Sequence, residues 1–283
     1  MNISIIGGDL RIAKLAEMYS NDKEDINIFT YGLEKYFEKD TNKIKECDNI
    51  DEAIRASDII ISGMPFTRDN STVNAPFAEN QIEITNVKKL VSGKTFIAGG
   101  IPSEFYLDGN INSIDLMQNE ELTILNAIPT VEGTIKIAIE EREETIHESN
   151  VLICGFGRIG KILCDKFSAL GANVYCSARK ESDLAWIREK RYIPLKYDEI
   201  TKFSSNFDIV INTVPTMVIK KEQLDSFNKE ITIIDVASNP GGIDKEYAKE
   251  KGIKVITALG IPGKEMPKTA AKYIKNVVDK IIK

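Results

Sequence analysis

Three glycines, Gly155, Gly157 and Gly160, follow the apolar run Val151-Leu152-Ile153-Cys154, and residues 161–170 then carry helical spacing. This is a G-x-G-x-x-G turn set between a strand and a helix, and each glycine has its own task there. Gly155 permits the tight turn, Gly157 lets the backbone approach a pyrophosphate, and Gly160 lets helix and strand pack closely. The helix start adds free N–H groups and a positive dipole end, both favourable to phosphate. Arg158 and Ile159 lie at that start and join the glycines as candidate cofactor contacts. A second strand over 173–176 completes the βαβ context. The alternatives are a glycine turn that binds nothing and a methyltransferase-type fold; the strand, helix and second strand together favour a dinucleotide.

An enzyme preferring NAD usually places Asp or Glu about 20 residues beyond the turn, at the end of the second strand, to hold the ribose 2′-OH. Here that place reads Ser177-Ala178-Arg179-Lys180, with no acid before Glu181. A hydroxyl and two cations suit a 2′-phosphate, which guanidinium and ammonium groups bind by charge-assisted hydrogen bonds. The expected cofactor is therefore NADP, held in part by Ser177, Arg179 and Lys180. A solvated basic turn is the bland alternative.

Catalytic candidates come from loops after the predicted strands, because ligands of such sheets bind beyond the strands' C-terminal ends. Thr213, Val214 and Pro215 are expected beside the nicotinamide ribose. Asn239, in Ser238-Asn239-Pro240-Gly241-Gly242, is placed to orient substrate or carboxamide. Lys264, on the glycine-bounded loop Gly260-Ile261-Pro262-Gly263-Lys264, is a candidate carboxylate anchor or acid. The facing loops 64–68, 99–103 and 126–132 add Ser103, Thr130 and Glu132 as candidate substrate contacts. Arg11, at the first helix start, adds an anion contact. The one histidine, His147, precedes a strand and so lies away from the crevice; it reads as structural. No Cys/His cluster, H-E-x-x-H or G-x-S-x-G is present, so no metal site or nucleophile elbow is expected.

The elements that must hold these residues occur twice. Residues 3–8 with 10–14 parallel 151–157 with 158–161; residues 57–65 parallel 207–215; and 95–98 parallel 232–235. Short unalternated apolar runs suit parallel strands buried on both faces. Helical patterns over 10–19 and 183–190 lie between them. The predicted fold is α/β, with two Rossmann-like doubly wound parallel-sheet domains, as in two-domain 2-hydroxy-acid and alanine dehydrogenases. In the first copy the turn is Gly7-Gly8-Asp9, and a carboxylate near the Gly157 place would repel pyrophosphate. Asp9 is expected to cap its helix instead. Residues 1–128 with 267–283 are expected to form an N-terminal domain for substrate or partner. Residues 129–266 form the NADP domain, entered through a linker helix over 129–146 that starts at Pro129. The last helix, with Ile274, Val277, Val278 and Ile281 on one face, is expected to return to the first domain.

Composition fits this plan. The chain has 283 residues, 42% of them hydrophobic, and a net charge of −6, with no basic footprint for nucleic acid. Cys47, Cys154, Cys164 and Cys176 form no C-x-x-C pair and read as small core residues in a reducing compartment. The start of the chain is a strand rather than a signal peptide, and no apolar run is read as a membrane span. A soluble cytoplasmic protein is the expectation.

Several pieces together carry a family resemblance: Gly7-Gly8-Asp9 with Arg11; Asn126-Ala127-Ile128-Pro129-Thr130-Val131-Glu132-Gly133; residues 149–160; and Gly260-Ile261-Pro262-Gly263-Lys264 with Pro267, Thr269 and Ala270. The chain resembles, over essentially its whole length, the A subunits of dipicolinate synthase from spore-forming bacteria. The resemblance implies oxidation of a dihydrodipicolinate-type intermediate to dipicolinate with NADP. It also implies partnership with a flavoprotein-like B subunit, an oligomer, and work in the mother cell during sporulation. A small dicarboxylate substrate would put Arg11 and Lys264, taken as lying on different domains, against its two carboxylates. Two other readings stand beside it: a dehydrogenase of another small acid, although the late His–acid pair of hydroxy-acid dehydrogenases is missing, and a non-catalytic NADP-binding subunit.

Overall fold

A computed structural model of the chain describes residues 1–22, 26–37 and 43–282. Twelve strands are found among them: β1 (Asn2–Ile6), β2 (Asn27–Tyr31), β3 (Ile44–Glu46), β4 (Ile59–Ser62), β5 (Thr95–Ala98), β6 (Asn112–Asp115), β7 (Asn150–Cys154), β8 (Asn173–Ser177), β9 (Ile193–Leu195), β10 (Ile209–Asn212), β11 (Thr232–Asp235) and β12 (Val255–Thr257). They form two six-stranded sheets, ordered β3-β2-β1-β4-β5-β6 and β9-β8-β7-β10-β11-β12. Every ladder is parallel. Each sheet thus repeats the 3-2-1-4-5-6 order of a doubly wound dinucleotide-binding fold, with its switch point between the first and fourth strands.

Unalternated apolar strands work here because both faces of each sheet are covered. Successive side chains of β7 feed two separate cores. Val151 and Ile153 join Leu163, Phe167 and Val174 on one face, while Leu152 and Cys154 join Val210, Ile233 and Leu224 on the other. β1 does the same, with Ile3 and Ile5 on one side and Ile6 on the other.

The chain divides into a unit of Met1–Asn126 with Pro262–Lys283 and a unit of Ala127–Ile261. Residues 262–266, and Lys264 with them, therefore belong to the N-terminal unit rather than to the cofactor domain. The linker helix also differs from expectation. It runs Glu120–Glu140 with Pro129 in its interior. Its start is set by Asn119, whose side chain accepts the Leu122 amide at 2.9 Å and whose carbonyl accepts the Thr123 amide at 3.0 Å. Glu120 and Glu121 then favour the positive helix end. By length and composition this helix is apolar enough to cross a membrane, which corrects the expectation that no run reaches that length. Val131, Thr134 and Ala138 are nevertheless buried as a stripe along it, as in the core helix of a globular unit.

The last helix, Pro267–Ile282, buries Ala270, Ala271, Ile274, Val277 and Val278. Four of these, from Ala271 on, enter the N-terminal core beside Ile12, Leu15, Ala16 and Tyr19 of the helix Leu10–Ser20.

Candidate functional site

Gly155 leaves β7 with φ +99°, a conformation that glycine adopts without strain. A Cβ built on Gly155 would lie 2.6 Å from Thr213 Oγ1, and one built on Gly160 would collide with the Gly155 carbonyl oxygen. Gly157 is different: a Cβ there meets nothing within 4 Å. The outer two glycines are thus required by the protein's own packing, and the middle one faces open space at the switch point. Gly157 also caps the helix Arg158–Ala169 without a side-chain hydrogen bond, and no acid stands in the first turn. Open room, a helix start and no acid in its first turn fit a pyrophosphate. Arg158 is exposed and Ile159 half-buried there.

Beside the turn lies a cavity of about 410 Å³. Arg179, at the end of β8, lines it together with Val214, Thr216 and Lys220 from the segment after β10. Arg179 and Lys180 are exposed, as a phosphate contact requires, but Ser177 is fully buried. The expected Ser177 contact is corrected: β8 is covered on both faces to its last residue, which turns that hydroxyl into the core. Lys220 was not foreseen, since it lies far along the chain from the motif. Tyr197, also on the cavity wall, has its phenol pushed up to about 12, chiefly by burial.

Thr213 donates its hydroxyl to the Cys154 carbonyl at 2.8 Å, which fixes the start of the loop that continues through Val214 and Pro215. Asn239 is exposed, on a cis bond to Pro240. Cys154, under the turn, has its thiol pushed up to about 12, chiefly by burial. Cys176 is raised well above the usual range, first through a hydrogen bond with Cys164. Both stay protonated near neutral pH and are not nucleophiles. His147 packs over Gly171, beyond the N-terminal ends of β7 and β8 and away from the switch point, as the sequence implied.

The N-terminal copy of the turn is built otherwise. Gly8 donates its amide to the Asn74 carbonyl at 2.9 Å, and a Cβ on Gly7 would press on Val73 and Ala75. Asp9 is the N-cap, its side chain accepting the Arg11 amide at 3.1 Å. Arg11 is 4% exposed; it forms a 2.6 Å ion pair with Asp9 and donates to the Met64 carbonyl. Gly263 lies against this pair, so a Cβ there would come within 2.8 Å of Asp9 Oδ2 and 3.1 Å of Arg11 Nε. The expected role of Arg11 as a free substrate anchor is therefore corrected: its charge is matched by Asp9, and it ties the helix start to the Met64 segment. Lys264, next to Gly263, is exposed in this same unit rather than on the opposite domain. Thr130 is buried in the linker helix, whereas Glu132 and Ser103 are exposed.

Comparison with known proteins adds the family. Residues 2–117 match the family model for the N-terminal domain of the dipicolinate synthase A subunit. Residues 130–244 match that of the D-isomer specific 2-hydroxyacid dehydrogenase, NAD binding domain, which agrees with a nicotinamide dinucleotide at the Gly155–Gly160 turn. A relative from Bacillus subtilis (strain 168), the A subunit of its dipicolinate synthase, is 35% identical over 290 residues, covering 100% of this chain and 96% of its own. The crystal structure of the dipicolinate synthase A subunit from Bacillus halodurans has a TM-score of 0.87 at 30% identity, covering 99% of this chain and 97% of that one. An L-alanine dehydrogenase, with a TM-score of 0.66 at 11% identity over 100% of this chain and 89% of that one, shares the fold alone. With its N-terminal unit matched by that family's own domain and its whole length shared with a full-length relative, the chain belongs to the family of dipicolinate synthase A subunits.

Proposed function

We propose that this chain oxidises a dihydrodipicolinate-type dicarboxylate to dipicolinate, with NADP as its cofactor and, as its partner, a flavoprotein-like B subunit. The setting is the mother-cell cytoplasm of a sporulating bacterium, and the working form is an oligomer. The observation that carries the reading is the open Gly157 position beside a cavity into which Arg179 and Lys220 bring two cations. In the reaction the ring loses a hydride and a proton and becomes aromatic. A bound nicotinamide supplies the hydride acceptor, and the proton passes to solvent. The residues' part is to bind and orient. Helix-start amides after Gly157 take the pyrophosphate, Arg179 and Lys180 take the 2′-phosphate, and Thr213, Val214 and Pro215 line the ribose. Asn239 is the proposed substrate contact, as a hydrogen-bond partner of the ring.

The deciding experiment supplies freshly generated intermediate to the purified chain, both by itself and with its partner present, and follows NADPH absorbance. NADPH should form, and Asn239→Ala should slow its formation steeply while NADP affinity holds. Near-normal turnover in that variant would move the substrate site elsewhere. No turnover by the wild type in either form, with NADP still bound, would leave a non-catalytic binding protein or an enzyme of another small acid.

The same cavity also holds Asp198 and Glu222, and a carboxylate on the ribose is what an NAD enzyme uses. Arg179→Ala separates the two readings. It should weaken NADP(H) by about 1–3 kcal/mol, the scale of a lost hydrogen bond to a charged group, and leave NAD(H) nearly unchanged. Equal losses for the two cofactors by calorimetry would remove Arg179 from the 2′-phosphate.

A further inference from the structure

The loops after β10 and β11 are joined by buried polar side chains that the cofactor motif does not require. Asn212, the last residue of β10, is fully buried. Its Oδ1 accepts the Val214 amide at 3.1 Å, and its Nδ2 donates to the Val214 carbonyl at 2.9 Å and to Asp235 Oδ1 at 2.8 Å. Asp235 ends the neighbouring strand β11 and is likewise fully buried. Its Oδ1 also accepts the Ala237 amide at 3.3 Å, and its Oδ2 lies 2.9 Å from Lys245 Nζ. Behind these contacts the backbones lock together. The Gly242 carbonyl accepts the Val218 and Ile219 amides, each at 2.9 Å. A Cβ on Gly242 would come within 2.7 Å of both Asn212 Nδ2 and the Thr216 carbonyl, and one on Gly241 within 2.6 Å of Asp235 Oδ2. The two loops therefore fit only as a pair.

A buried carboxylate is costly to desolvate, and an apolar pair of similar volume would fill the same space at least as well. What the charged network adds is registry between two loops. Those loops face different parts of a dinucleotide. Past Val214 and Pro215, residues Thr216, Met217 and Val218 wall the cavity that, with Arg179, is proposed for the adenosine 2′-phosphate, while residues 236–239 follow the adjacent strand, on the side proposed for the nicotinamide. We propose that Asn212, Asp235 and Lys245 are positioning residues that hold these loops as one plate and so set the spacing at which both halves of the cofactor are gripped together. This rests on the dinucleotide reading above.

Two measurements test it. The first needs no cofactor: amide hydrogen exchange on full-length Asp235→Asn should accelerate not only at Ala237 but also at Val214, on the other loop. Acceleration confined to 236–242 would overturn the plate. The second compares NADPH with 2′,5′-ADP, which carries only the adenosine half. Lys245→Met should lower NADPH affinity on the order of tenfold, the scale of one disturbed buried charge contact, and leave 2′,5′-ADP within about twofold. Lys245→Arg, which keeps the cation, should restore NADPH binding. Equal losses for both ligands, or none for either, would reduce Lys245 to a surface ion pair and overturn the proposal. Should wild-type protein bind neither ligand, the dinucleotide reading itself falls, and the exchange experiment still decides whether the loops move together.

Discussion

Gly157→Val is expected to abolish the thermal stabilisation by a nicotinamide dinucleotide while leaving the melting transition of the cofactor-free protein in place. The space around Gly157 is empty of protein, so an added side chain costs the fold little. The same side chain stands where the pyrophosphate must approach the helix start. A ligand at a hundred times its Kd stabilises by about 2.7 kcal/mol, and a variant that no longer binds loses all of it. Gly160→Val supplies the contrast: its Cβ collides with the Gly155 carbonyl, so it should lower the melting temperature without any ligand present. A full dinucleotide-induced shift in Gly157→Val would displace the phosphates from this turn.

Removal of residues 267–283 should unfold the N-terminal unit. The helix Pro267–Ile282 inserts Ile274, Val277 and Val278 into the core that β1 and the helix Leu10–Ser20 share. Burial of three such side chains is worth about 5–8 kcal/mol, close to the whole stability of an ordinary domain. A polar seam closes over them. Tyr19 donates its hydroxyl to Asp279 at 3.0 Å, and Lys275 sits 2.7 Å from Asp22 and 2.8 Å from Asp279, above the Tyr19 ring. Burial pushes the Tyr19 phenol far up, so it stays a donor across the accessible pH range. Limited proteolysis of the truncated chain should cut within 1–126 under conditions that leave full-length protein intact. Unchanged cleavage would show that the last helix is an accessory.

The centre of each sheet was legible from sequence because its strands are unbroken apolar runs. Ile59 to Ile61 and Ile209 to Ile211 fit strands buried on both faces. Two of the edge strands, β3 and β9, were not. β3 is Ile-Lys-Glu and β9 contains Pro194, composition that an edge tolerates and a central strand does not. The return helix was legible from its spacing. The linker helix start was not, because Pro129 gave a stronger signal than Asn119, although Asn119 followed by two glutamates is itself a start signal. At the site, the glycines announced themselves through spacing. Arg11 misled because sequence shows a cation at a helix start and cannot show that the capping residue two places earlier has folded back onto it. Asn212 and Asp235 were passed over as the ordinary ends of strands, since only the register of β10 beside β11 brings them together.

Asp9 and Gly157 occupy the same place in two copies of one fold, each capping the helix that follows its glycine turn. The N-terminal copy carries its anion covalently. The Asp9 carboxylate sits at the helix start, and Arg11 is its permanent counter-ion. That copy behaves as a nucleotide fold with a tethered ligand, which neither dissociates nor responds to concentration. The other copy must borrow its anion from solution, so its stability follows the cofactor pool by mass action. One chain thus joins a unit whose stability is set at synthesis to a unit whose stability reports the cell's supply of dinucleotide.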